Sequence, residues 1–153
     1  MQRASTLQSA KTIVCKYLAY KLSPSAKSKF VRLPLVHVYL KSDNGTDLYT
    51  SALVDSGSTS TFLPAELASI LGLKNLVDSS AVGAGGSFPT SLSKLALLQI
   101  WKGVPFDSFR DVVVNIPQNI GAIPYMVLGR DTIFKHFDIT FHENRLKIKF
   151  SRL

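Results

Sequence analysis

Asp55 follows the apolar run Ala52-Leu53-Val54 directly and is itself followed by Ser56 and Gly57. A carboxylate at the end of a buried strand can take a proton from a water, a neighbouring hydroxyl can bond nearby backbone, and a glycine lets the chain turn tightly. Alone, the triplet is weak evidence. At average composition it occurs in roughly one in fifteen chains of this length, and an ordinary Asx or ST turn explains it equally well. Two further segments carry unusual chemistry. Val82-Gly83-Ala84-Gly85-Gly86-Ser87-Phe88 has too many glycines for a strand centre and suits a mobile hairpin tip, and Met126-Val127-Leu128 is an apolar strand ending in Gly129-Arg130-Asp131.

Other chemistries fit less well. His37, His136 and His142 are far apart and do not combine with Cys15 at metal-ligand spacing, so no metal site is expected. No serine lies in a nucleophile elbow. Gly83-Ala84-Gly85-Gly86 lacks the lysine and following helix of a phosphate loop. Trp101 and the nine phenylalanines fit a core, without the basic-aromatic interleaving that binds single-stranded nucleic acid.

The elements that must position Asp55 read mostly as strands. Val31–Leu40 with Pro34 near its start, the Asn44-Gly45 turn, and the return strand Leu48–Val54 form a hairpin that ends at Asp55. Thr59–Leu63 is a further β-prone run. Pro64 to Leu71 followed by Gly72 has the proline-first, glycine-last form of a short helix. Leu95–Trp101, Phe109–Val114 and Tyr125–Leu128 are strands, and Asp131 is placed to cap a short helix over Thr132–His136. Phe137–Phe141 and Arg145–Phe150 alternate apolar and polar residues around a turn at His142-Glu143-Asn144, as a half-buried hairpin does. The expected class is all-β, a small closed or sandwich-like barrel with one or two short helices.

The chain of 153 residues is 46% hydrophobic, enough for one globular domain. Its single cysteine excludes an internal disulfide and makes a reducing, cytoplasmic interior the default. No apolar run approaches the roughly 18 residues of a membrane span. The formal charge of +8 is unevenly placed: the first carboxylate is Asp43, so residues 1–42 hold eight basic side chains and no acid, and the rest is formally neutral. That basic leader carries Leu7, Ala10, Val14, Leu18 and Leu22 at helical spacing up to Pro24. An amphipathic helix and linker over residues 1–29 is therefore expected ahead of a domain over 30–153. The leader suits a helix lying on its own domain or a basic tail, and equally an organellar targeting segment or a weak contact with an anionic surface.

Taken in order, Ala52 to Pro64, the glycine-rich hairpin at 83–86, and Met126 to Asp131 resemble the retropepsin-like aspartic proteases over about residues 31–150. The resemblance implies a single-domain acid-protease barrel and an endopeptidase acting on peptide or protein substrates, with neither cofactor nor nucleic acid. It also implies a homodimer, because members of the family contribute one Asp-Ser/Thr-Gly loop per chain and this chain holds one such triplet. The two Asp55 carboxylates would share a proton, the ionised one acting as base on a water and the protonated one polarising the scissile carbonyl. Ser56 would link the two loops, and Gly57 would allow their close approach. Val82, Gly83, Ala84, Gly85, Gly86 and Phe88 would form a flap over the peptide, with Val82, Phe88 or Ile123 lining a pocket.

By the same resemblance Leu128 and Gly129 would pack behind the catalytic loop, with Arg130 and Asp131 completing its support. Ser58 would bond the Asp55 carboxylate and favour its ionised form, extending activity to mildly acidic pH. Many retroviral enzymes carry an acid where this chain has Thr59, which leaves the partner of Arg130 open. Their terminal strand is also shorter than the hairpin here. Two other functions compete: a non-catalytic dimerisation or peptide-binding module of the same fold, and an adaptor acting through the basic leader.

Overall fold

The computed structural model describes residues 10–22 and 29–153. Its centre is a hairpin. Strand β4 (Leu35–Lys41) buries Val36, Val38 and Leu40 and turns His37 and Tyr39 outward, as a half-buried strand must. It returns as β5 (Asp47–Val54) through a turn in which Gly45 has φ 88°, a left-handed conformation that favours glycine. Preceding these are β1 (Thr12–Lys16), β2 (Leu18–Lys21) and β3 (Phe30–Leu33), with Pro34 separating β3 from β4.

Beyond β5, a single helix α1 (Ala65–Leu71) starts after Pro64 and stops at Gly72, whose φ of 63° and N–H to Ser69 O at 3.0 Å close it. Asn44 of the hairpin turn donates to Leu71 O at 3.1 Å and so ties the helix end to the sheet. Strands β6 (Val77–Gly83) and β7 (Gly86–Trp101) form a long hairpin with Ala84-Gly85 at its tip, and β7 continues to pair with β4 and with β8 (Pro105–Pro117). Strand β9 (Met126–Leu128) lies parallel to β5, Val54 opposite Leu128. Finally β10 (Phe137–His142) and β11 (Lys147–Arg152) form a hairpin around a 3-10 turn at Glu143–Arg145.

These strands make three sheets: a six-stranded one of β6-β7-β4-β5-β9 with β8 on β7, a second of β1-β11-β10, and the ribbon β2-β3. One cluster of buried side chains joins them, running from Ile13 and Tyr17 through Leu40, Leu98 and Leu128 to Phe150. Among the described residues, no helix is long and apolar enough to cross a membrane.

The expected N-terminal amphipathic helix is not formed. Residues 12–16 are instead a strand on the edge of β11, Ile13 opposite Phe150, and 18–21 pair with β3. The controlling pattern is the alternation Ile13, Cys15, Tyr17, two of which are buried, whereas Val14 and Leu22 of the helical stripe are exposed. Leu7 and Pro24 lie outside the described residues. The short helix expected over Thr132–His136 is also absent, replaced by successive turns. Asp131 does not cap it, because its carboxylate is held by Thr61 and Thr132. Thr59–Leu63 is not a full strand; Phe62 alone bridges, to Asn115 on one side and Val127 on the other.

Tyr17 anchors the N-terminal strands. It is 2% exposed, its N–H donates to Leu146 O at 2.8 Å and its hydroxyl to Glu143 Oε2 at 2.9 Å. Burial first, then that bond, push its phenol up to about 12. Above pH ~10 the unfolded chain ionises this tyrosine while the folded one keeps its proton, so stability present below pH ~10 is lost as pH rises toward 12. Tyr39, pushed up to about 12 mainly by its bond to Asp47, adds to the same window. Urea unfolding at pH 8 and pH 11 should show a marked loss for the wild type and a smaller one for Tyr17→Phe. Separately, Ile13→Ala should cost about 2–4 kcal/mol in the same assay, because a buried methyl-bearing side chain leaves a cavity. A change near zero would show that β1 adds nothing to the folded body.

Candidate active site

Asp55 is the first residue beyond β5, and its N–H donates to Leu128 O at 3.1 Å, extending the β5–β9 ladder by one step. The chain then turns sharply. Ser58 N–H donates to Asp55 O at 3.2 Å across the turn, and Gly57 N–H donates to Asp55 Oδ1 at 2.8 Å. A Cβ at position 57 would stand 3.1 Å from that same oxygen, so a side chain there would crowd the carboxylate. Asp55 is half-buried while Ser56 and Gly57 are exposed. One carboxylate oxygen is thus oriented by backbone on an open face of the chain, with a hydroxyl beside it.

A second loop supports the first. Arg130 N–H donates to Ser58 O at 2.9 Å and Asp131 N–H to Thr59 O at 3.1 Å. Just beyond, Phe62 exchanges both backbone bonds with Val127, each at 2.9 Å, while Leu63 N–H donates to Asn115 O and Asn115 N–H to Thr61 O, also at 2.9 Å. The segment leaving the Asp55 turn is therefore threaded between β9 and β8. Gly129 makes this possible: a Cβ there would land on the Ser60 carbonyl.

Thr61 locks the two loops together. It is fully buried, accepts from Gly129 N–H at 3.2 Å, donates to Asp131 Oδ1 at 3.0 Å and lies 2.6 Å from Thr132 Oγ1. Thr132 also reaches Asp131 Oδ1 at 3.0 Å. With Thr61 donating to the carboxylate and accepting the amide, every proton in the group has a place.

Ser58 does not take its expected partner. Its hydroxyl donates to Ser60 O at 2.7 Å, so the proton that would have reached the Asp55 carboxylate is used to stiffen the loop. Among the described residues, Gly57 N–H is the donor to that carboxylate. Arg130 is exposed and is not paired with Asp131, whose carboxylate is occupied by the two threonines.

The glycine-rich tip stands over a cavity of about 380 Å³ bounded by Gly83, Ala84, Gly85, Gly86 and Phe88 on one side and by Pro117, Ala122 and Ile123 on the other. Phe88 packs on Phe62, ring centroids 6.1 Å apart, which couples the tip to the threaded segment. Val82 is 81% exposed and lies outside that lining. Tyr125, just before β9, is half-buried against Tyr20, and its phenol is pushed up by burial and, to a lesser degree, by Tyr20 and by Asp55.

Sequence reasoning missed Thr61, Thr132, Tyr20 and Tyr125. The signal for Thr61 was a hydroxyl adjoining the apolar Phe62-Leu63, where a buried polar group needs partners. Among the described residues no group of three or more His, Cys, Asp or Glu side chains converges as a metal site would.

Thr61→Val keeps the shape but orphans the buried Gly129 N–H and removes one of the two hydroxyl donors to Asp131 Oδ1. It should cost about 1–3 kcal/mol by urea unfolding, and Thr61→Ser should recover most of that. Equal stability in all three proteins would remove Thr61 from its supporting role.

A family model described as aspartyl protease matches residues 38–132. Among solved structures, the chain is similar to a retropepsin-like aspartic protease from Rickettsia conorii, with a TM-score of 0.53 and 12% identity over 92% of this chain and 90% of that one. No curated protein matches the chain in sequence.

Proposed function

Since the chain belongs to the aspartyl protease family and has a retropepsin-like fold, we propose that it is a homodimeric endopeptidase whose catalytic pair is Asp55 of one protomer and Asp55 of its partner. The observation that carries this is the placement of one backbone-oriented carboxylate on an open face, with Ser56 and Gly57 exposed beside it. A protomer holds half of the chemistry, and a two-fold axis through that face supplies the rest.

Two carboxylates within hydrogen-bond distance do not both ionise readily, so one proton is shared between them. The ionised member takes a proton from the bound water as that water attacks the scissile carbonyl. The protonated member donates to the carbonyl oxygen, and the proton gained from water is then passed to the leaving nitrogen. In this reading Ser56, exposed beside Asp55, bonds across the axis, and the Gly83–Gly86 tip closes on an extended peptide, adding main-chain bonds and excluding bulk water. Cys15 takes no part: it is half-buried, and burial pushes its thiol up, against a smaller opposing effect of Lys102. A free, unreactive thiol suits a reducing cytoplasmic setting.

Incubation with an unstructured polypeptide between about pH 4 and 7 should give cleavage, and Asp55→Asn should reduce it to background. Adding Asp55→Asn chains to a fixed amount of wild type should also suppress activity, since mixed dimers hold one aspartate. Cleavage by Asp55→Asn alone would end the assignment, and undiminished activity in the mixture would end the paired mechanism. A statine-containing peptide should inhibit as a mimic of the tetrahedral transition state.

A further inference from the structure

A second cavity lies on the other side of the loop that borders the one beneath the glycine-rich tip. It measures about 880 Å³, within the range of pockets that enclose small ligands. One wall is Leu18, Ala19 and Tyr20 of β2, and the facing wall includes Leu35, Leu67, Ile123 and Tyr125. Ile123 also lines the cavity beneath the glycine-rich tip, so the two spaces lie on either side of that residue, and Asp55 is near enough to Tyr125 to help push its phenol up. Two residues later Tyr125 sits at the base of β9, the strand that carries Leu128 to the backbone of Asp55.

The walls are braced rather than collapsed. Gly121 N–H donates to Glu66 Oε1 at 2.8 Å, fixing the 119–125 loop to α1. A two-stranded ribbon is marginal alone, but β2-β3 is held at one end by buried Tyr17 and by the Arg32 side chain on Tyr17 O at 3.4 Å. At the other end Tyr20 meets Tyr125 edge to face, centroids 5.1 Å apart and planes at 85°, a favoured aromatic geometry. A segment that merely blocked the site would fill this space, whereas β2 bounds it and leaves it open.

We propose that this cavity is a subsite of the peptide cleft that takes a large apolar side chain of the substrate together with its flanking backbone, and that Tyr20, supplied by the N-terminal ribbon, determines its preference. The inference rests on the proteolytic assignment for its substrate class. Its lining is mainly apolar, with Thr50 and Ser51 on β5 able to bond peptide groups. Tyr20 forms the wall nearest Tyr125, so truncating it opens the subsite and removes the ring that a Phe, Leu or Met side chain would contact.

The test is cleavage of a mixed library of unstructured peptides, with cut positions read by mass spectrometry. Wild type should favour large apolar residues over small ones at one fixed position from the scissile bond. In Tyr20→Ala the kcat/KM ratio of large to small at that position should fall about tenfold, with other positions unaffected, and Tyr20→Phe should restore it. Leu18→Trp, which adds bulk on the face of β2 that Tyr20 shares, should shift the preference toward small residues. An unchanged profile in both Tyr20→Ala and Leu18→Trp would overturn the proposal, as would an equal rise in rate at every site, which would mark the ribbon as a strap. Binding of the same peptides to the Asp55→Asn chain separates the two assignments. If wild type cleaves nothing yet Tyr20→Ala weakens binding of the large-residue peptides alone, the subsite stands and proteolysis fails; binding indifferent to Tyr20 overturns the subsite whatever the catalytic outcome.

Discussion

The orientation of Asp55 depends on a crossing of chains that only one residue type permits. The segment 58–63 leaves the aspartate turn and passes between β9 and β8, while Gly129 passes so close to Ser60 that no Cβ fits between them. Two peptide groups in such contact leave no water to satisfy their amides, so a buried acceptor must be supplied. Thr61 supplies it, and its own proton goes to Asp131. Remove the hydroxyl and the loop that aims the carboxylate is no longer tied to the strand that carries it.

This explains a division of labour between the polar residues near the site. Ser58, Thr61, Asp131 and Thr132 are used up on one another and on backbone, which makes the loop rigid. Asp55 and Ser56 are left on the open face with capacity to spare. A carboxylate already satisfied by several donors is a poor base, whereas one held by a single amide keeps acceptor sites free. The rigidity of the inner residues keeps the outer ones from being drawn into the loop.

Strands with a strong local pattern were legible in the sequence. The hairpin of β4 and β5, the helix between Pro64 and Gly72, the glycine-rich tip and the C-terminal hairpin all announce themselves through alternation or turn chemistry. Asp55 was found because its neighbours form a short local motif. What stayed hidden was long-range. Thr61 and Thr132 meet across 71 positions, and although Thr61 adjoins the apolar Phe62-Leu63, nothing local names the partner it finds. The N-terminal segment was misjudged because its apolar residues fit two periods at once. Helical spacing collected Val14, Leu18 and Leu22, but the edge of β11 selected Ile13 and Tyr17, and an unpaired strand edge favours the period of two. A sequence offers no record of which edges remain open.

That edge also changes the meaning of the basic leader. All of the excess positive charge lies in residues 1–42, and a charged segment ahead of a neutral body invites the view of a detachable tail. Yet Ile13 and Tyr17 belong to the same core as Leu128, the residue whose carbonyl receives Asp55. Lys11, Lys16 and Lys21 face outward while Ile13 and Tyr17 face in, which is how an edge strand covers itself with charge and discourages further pairing. The charge is therefore compatible with a structural role, and the ribbon it decorates stands beside the aspartate loop through Tyr20 and Tyr125. A chain that packs Ile13 and Tyr17 into the core and sets one wall of a cavity with the strand that follows has coupled the shape of that cavity to a segment most often assumed to be dispensable.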